Sequence, residues 1–218
     1  MPDRENERLH MVASQIQGRG VRDERVFEAM RQVPRELFVP GDAAEAYADR
    51  PLPIGHGQTI SQPYIVAVML EAAGVRTDDR LLEIGAGSGY AAAVASRLAR
   101  QVCAVERIGA LAESARERLA ALGCANVDIR QGDGSTGWPD GGPFDVILAA
   151  AAGPEVPAPL VAQLAPGGRL VMPVGGRNAG QRLLRLRRTD TGIEQEDLGA
   201  VAFVPLIGAG GFGGDSTS

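Results

Sequence analysis

The sequence is poor in cysteine and histidine, with two of each in 218 residues. Cys103 sits in an apolar run and Cys124 near an expected helix end. Two such thiols make no disulfide framework and fit a reducing compartment. Two histidines offer no metal-ligand spacing, so no metal is expected. Basic charge is short as well: 22 Lys and Arg against 27 Asp and Glu leave a net charge of −5. A partner held through nucleic-acid phosphates needs a basic face. The one basic cluster, Arg182 to Arg188, alternates with Leu183, Leu184 and Leu186 as a half-exposed strand does. No apolar run is long enough to span a membrane, and the chain does not open on a signal-peptide core. No internal repeat is visible. The expectation is a cytoplasmic monomer with no nucleic-acid and no membrane partner.

What is present begins with Leu81-Leu82-Glu83-Ile84-Gly85-Ala86-Gly87-Ser88-Gly89-Tyr90. Leu81, Leu82 and Ile84 form the short apolar run of a strand buried on both faces. Gly85, Gly87 and Gly89 make a turn in which a ligand can approach the backbone, and an alanine-rich helix follows from Ala91 to Leu98. The simpler reading is a tight strand-to-helix turn with no ligand. The dinucleotide fingerprint G-x-G-x-x-G would need glycine at position 90, where Tyr90 stands. Glu83 precedes the turn, and a carboxylate there suits a cationic sulfonium and repels a pyrophosphate. Glu106 ends the next apolar run about 20 residues on, where a carboxylate can accept ribose hydroxyls; it is otherwise a solvated strand end. The two acids favour S-adenosyl-L-methionine over a nicotinamide cofactor.

Strands and helices then alternate, which predicts an α/β fold with a doubly wound, mostly parallel sheet and helices on both faces. Extra helices are expected ahead of it, at Leu9–Gln17 and Asp23–Val33, with residues 1 to 8 frayed. Phe38-Val39-Pro40 reads as extended and Ala43–Tyr47 as one further helical turn. The stretch from Pro51 to Pro63 is glycine- and proline-rich yet almost uncharged, like a loop laid over a site. Ser61 there is an N-cap or a hydroxyl aimed into the site, and His56 a base or a turn residue. A helix follows over Pro63–Ala73. Leu111–Leu122 is a helix, Val127–Gln131 and Phe144–Ala149 are strands, and Pro159–Leu164 is a helix ended by Pro166-Gly167-Gly168. Asp133, before Gly134, could accept an adenine amino group or simply form a D-G turn. Leu170–Val174 is the fifth strand; Leu183–Arg187 and Ala200–Val204 form an antiparallel C-terminal pair. The organisation expected is one domain over 1–208, split into a covering part (1–76) and a cofactor-binding sheet (77–208), with a disordered glycine-rich tail from Gly208 to Ser218.

The chain resembles the protein-L-isoaspartate O-methyltransferase family over roughly residues 10 to 208. The resemblance rests on Val33-Pro34-Arg35 with Phe38-Val39, on the run from Leu52 to Tyr64, on the Glu83–Tyr90 loop, and on Val105-Glu106-Arg107. Gly132-Asp133-Gly134, Pro173-Val174-Gly175 and Phe203-Val204-Pro205-Leu206 complete it. The glycine loop alone marks a class I methyltransferase with a Rossmann-like fold; the thirteen residues from Pro51 to Pro63 carry the specific likeness. The resemblance implies a S-adenosyl-L-methionine site at Thr59, Ile60, Gln62, Glu83, Gly85, Ala86, Gly87, Gly89, Glu106, Arg107, Asp133 and Gly134. It implies that Ser61 is the active-site serine, and that Ile54, Gly55, His56, Ala150 and Val204 meet the substrate peptide. Ala86 and Ala150 stand where the family commonly has threonine, and at Ala150 this removes a hydroxyl near the substrate. The implied reaction is methyl esterification of L-isoaspartyl residues in damaged proteins and peptides. The alternative is a carboxyl methyltransferase dedicated to aspartate in one partner.

Overall fold

The computed structural model describes residues 4–41, 43–177 and 180–213. A seven-stranded sheet runs in the order β5-β4-β3-β6-β7-β8-β9. Its strands are β3 Arg80–Ile84, β4 Gln101–Glu106, β5 Val127–Gln131, β6 Phe144–Ala149, β7 Leu164–Gly175, β8 Gln181–Thr189 and β9 Gly192–Val201. The strands from β5 through β7 pair in parallel, and β8 and β9 add antiparallel. β3 and β4 are almost wholly buried, because helices cover both faces of a parallel sheet. Alternation then divides the core: Leu81 packs on one face, Leu82 and Ile84 on the other. The expected α/β, mostly parallel architecture is the one observed.

The chain turns from β3 to β4 on one side and to β6 on the other. This reversal opens a crevice at the carboxyl ends of the strands, the place where open α/β sheets bind ligands. Ahead of the sheet come α1 Glu5–His10 and α2 Glu24–Gln32, then a hairpin of β1 Leu52–Gly55 and β2 Gln58–Ile60, then α3 Pro63–Ala73. α4 Tyr90–Ala95, α5 Gly109–Ala121 and α6 Ala158–Ala162 connect the parallel strands. Among the described residues no helix is long and apolar enough to cross a membrane.

Several expectations are corrected. The first helix starts at Glu5, not Leu9. It continues as a π-helical stretch, Met11–Ile16, and a 3-10 turn, Gln17–Arg19, to Gly20 at φ 104°. Buried Arg8 anchors it by donating from Nε to Arg31 O (2.6 Å). Phe38, expected extended, closes a 3-10 turn over Arg35–Phe38. The Pro51–Pro63 stretch is mostly a hairpin, not an irregular loop. Pro166-Gly167-Gly168 does not end a helix; it lies inside β7, where a shift in register with β6 accommodates it. The last strand is β9, ending at Val201, not Ala200–Val204. Of the glycine-rich tail, Gly208 to Gly213 forms an ordered turn with an Ile207–Phe212 bridge; 214–218 lie outside the described residues.

Candidate active site

The glycine loop leaves β3 with Gly85, Gly87 and Gly89 at φ 85°, 54° and 89°, a region that side-chain-bearing residues enter only with strain. Gly85 N–H donates to Val105 O (2.8 Å), tying the loop to the neighbouring strand. A Cβ on Gly87 would lie 3.2 Å from Ile54 Cδ1, so the β1–β2 hairpin packs its isoleucine directly over the loop. Between loop, hairpin and the segment Val204–Ile207 lies a cavity of about 120 Å³.

Two acids form its floor. Glu106 Oε2 accepts from Gly87 N–H (2.9 Å) and Oε1 from Ile108 N–H (2.8 Å). A carboxylate has about four acceptor positions, so each oxygen keeps one for a ligand hydroxyl. Glu83 is 3% exposed, and its Oε2 is buried without a hydrogen-bond partner. Burial, and then the nearby Glu106 charge, push its carboxyl up to about 8. An orphaned buried carboxyl oxygen beside a glycine cradle is a poor place for a phosphate and a fitting one for a cation. The residues present therefore fit a sulfonium nucleoside.

A second cavity, about 310 Å³, shares Thr59, Ser61, Ala150 and Val204 with the first. Ser61 stands where the two meet. It follows β2 and precedes α3, whose first residue is Pro63, pre-set for a helix start. The cap of α3 is Gln62, and neither Ser61 nor Gln62 caps it with a side chain. Gln62 instead donates from Nε2 to Asp49 O (3.0 Å). The Ser61 hydroxyl makes no hydrogen bond among the described residues. Its backbone is pinned from behind: wholly buried Arg35 donates from Nη2 to Ser61 O (2.8 Å) and from Nε to Ala46 O (2.8 Å). Burial pushes the Arg35 guanidinium below its ordinary value.

The first cavity gathers Thr59, Ile60, Ser61, Glu83, Gly85, Ala86, Gly87, Glu106, Arg107, Gly134, Ala150 and Val204. Gln62 lines the second cavity instead. Gly89 lines neither; a Cβ there would lie 3.1 Å from Ala115 Cβ, so its role is close packing against α5. Ile54, Gly55 and His56 also line neither. Gly55 and His56 are exposed at the hairpin tip, His56 at φ 53°, a turn residue and not a placed base. The Asp133 carboxylate accepts from Ser135 N–H and Oγ and from Ala209 N–H (2.7 Å). Burial pushes that carboxyl up, but these hydrogen bonds outweigh it and hold it below the usual range. Sequence reasoning missed Arg35 and the cover made by Pro205, Leu206 and Ile207. Arg35 lay in a recognised motif, but nothing local marked it as buried.

A carboxylate-floored cavity at a glycine loop, set at the switch point of a doubly wound sheet, defines the chain as a class I methyltransferase. The protein-L-isoaspartate(D-aspartate) O-methyltransferase (PCMT) family model matches residues 6–210. The chain is 60% identical to protein-L-isoaspartate O-methyltransferase 1 of Rhodopseudomonas palustris strain HaA2, covering 94% of this chain and 85% of that one. It is 58% identical to the corresponding Methylorubrum extorquens protein, over 95% and 91% of the two chains. A solved protein-L-isoaspartate O-methyltransferase superposes with a TM-score of 0.84 at 28% identity, over 95% of this chain and 67% of that one. A Plasmodium falciparum chain described as a candidate enzyme of this kind, in complex with S-adenosyl-L-homocysteine, superposes with a TM-score of 0.80 at 26% identity, over 92% and 98%. The chain belongs to the protein-L-isoaspartate O-methyltransferase family.

Proposed function

We propose that this chain esterifies the free α-carboxylate of L-isoaspartyl residues in proteins and peptides, in the cytoplasm and as a monomer. The observation that carries the reading is the position of Ser61, with an unengaged hydroxyl, where a cation-suited cavity opens into a second cavity. Bound in the first cavity, S-adenosyl-L-methionine supplies an electrophilic methyl group on a sulfonium. Glu83 and Glu106 orient it from below, and the glycine loop lets it approach the backbone.

The substrate carboxylate is already ionised near neutral pH, so no general base is needed. The chain's task is alignment, and holding oxygen and methyl in line can remove several kcal/mol of barrier. Ser61 donates one hydrogen bond to the carboxylate and fixes which oxygen faces the methyl. A single donor keeps ground-state binding modest. The apolar cover from Ile54, Ile60 and Leu206, all buried, excludes water while anion and cation become two neutral groups. In isoaspartate the backbone runs through the side chain and leaves the α-carboxylate free, so the second cavity selects by backbone shape. The ester then loses methanol to a succinimide unaided, and hydrolysis returns part of it to aspartate. Two buried free cysteines fit the reducing compartment.

The test is methyl transfer from labelled S-adenosyl-L-methionine to peptides matched except for isoaspartate or aspartate at one position. Label on the isoaspartyl peptide alone, released as methanol, is the expected result. Equal labelling, or labelling of the aspartyl peptide alone, overturns the repair reading in favour of a dedicated aspartyl methyltransferase.

A further inference from the structure

The second cavity is nearly neutral. Among the described residues that line it, Arg19 carries the only charge, in a chain that is acidic overall. Arg19 ends the first helical segment, where Gly20 turns the chain away at φ 104°. Its guanidinium carbon lies 3.6 Å from the centre of the Tyr64 ring, at the start of α3. On one edge, Nη1 pairs with Asp49 Oδ2 (2.5 Å). Stacking on a ring and one ion pair fix the plane of an otherwise flexible side chain. Asp49 engages one of five N–H donors, and no other described residue accepts from the group. Asp49 itself does not line the cavity; the arginine, 45% exposed, does. A planar donor group held open in this way matches a carboxylate.

We propose that Arg19 is a specificity residue that reads an acidic side chain flanking the isoaspartyl residue, so that the preferred substrates are isoaspartyl peptides with a neighbouring aspartate or glutamate. This rests on the peptide-methylating reading above. Pro51, Tyr64 and Phe203 supply apolar walls for the peptide, Ser61 takes the α-carboxylate, and Arg19 takes the second anion. The group acts on binding and not on the methyl transfer, so its effect belongs in KM.

The experiment uses the full chain and three isoaspartyl peptides that differ at one flanking position: Glu, Gln or Lys. Each is made with the variable residue before and after the isoaspartate. In the wild type, KM is expected to rise from Glu to Gln to Lys at constant kcat, by about threefold per step for a half-exposed ion pair. Added salt should compress the series. Arg19→Gln should abolish the order. Asp49→Asn, which frees the guanidinium from its partner, should widen it; a merely structural link between Arg19 and Asp49 predicts no such gain. Equal KM for all three peptides in the wild type, or an Arg19→Gln variant that shifts all three by one factor, overturns the proposal and leaves the repair reading intact. No transfer to any of the three overturns both.

Discussion

Glu83 is a carboxyl whose folded environment keeps it protonated, and replacing it with a group that cannot ionise should stabilise the protein while weakening cofactor binding. Its pKa rises from 4.5 to about 8 on folding, through burial first and the Glu106 charge second. The folded chain therefore holds a proton that the unfolded chain releases above pH 4.5. A carboxyl raised in this way contributes stability that declines as pH climbs through the window from 4.5 to about 8 and is flat above it. At about 1.4 kcal/mol per pH unit the full decline is about 5 kcal/mol, of which about 2 kcal/mol falls between pH 6 and pH 8. Glu83→Gln keeps the shape and has no proton to lose. Urea unfolding of both proteins at pH 6, 7, 8 and 9 should show the variant's advantage growing by about 2 kcal/mol from pH 6 to pH 8 and then levelling. Titration calorimetry of S-adenosyl-L-methionine at pH 7, in buffers of different ionisation enthalpy, should show close to one proton released on binding to the wild type and none for the variant. A stability difference independent of pH, together with no proton release, would refute the reasoning.

Ser61→Ala should lower kcat about tenfold or more with cofactor affinity unchanged, since it removes one charge-assisted hydrogen bond to the reacting carboxylate; steady-state kinetics with an isoaspartyl peptide checks it. Arg35→Met should cost about 3 kcal/mol in thermal unfolding, because the buried Ala46 O and the part-buried Ser61 O both lose their donor. Arg35→Lys should recover part of the stability but not the kcat, since one ammonium lacks the planar reach to both carbonyls. Gly87→Ala combines φ 54° with a Cβ 3.2 Å from Ile54 Cδ1, so it should lift the hairpin and weaken cofactor binding roughly tenfold, read by calorimetry.

Four of the parallel strands, β3 to β6, were legible to within a residue, in β3, β4 and β6 because burial on both faces writes continuous apolar runs such as Leu81–Ile84 and Val102–Val105; the start of β7 at Leu164 was not, because Pro166-Gly167-Gly168 reads locally as a break. The glycine loop was legible because positive φ restricts the residue choice. β9 was not, because Glu194, Gln195, Glu196 and Asp197 are exposed and polar, and show no apolar alternation. What makes them a strand is the partner: Arg182 pairs with Asp197 (2.8 Å), Arg185 with Glu196, and Arg187 faces Glu194 across the ladder. The turn at Gly208–Phe212 was unreadable for a similar reason. Its anchors, Asp133 and Ser135, lie more than seventy residues earlier.

Strand β9 has one more consequence. β9 and β5 are the two end strands of the sheet, and an end strand has backbone groups that could template a neighbouring chain. β9 presents Glu194, Glu196 and Asp197 along its edge, so two β9 edges meeting would set acid against acid. The arginines that answer those acids belong to β8, one strand inward, and are already engaged by them. The β9 edge therefore carries its own deterrent to pairing with the same edge of another copy. That deterrent is electrostatic, and it fades in concentrated salt, where the screening length shrinks to about 3 Å.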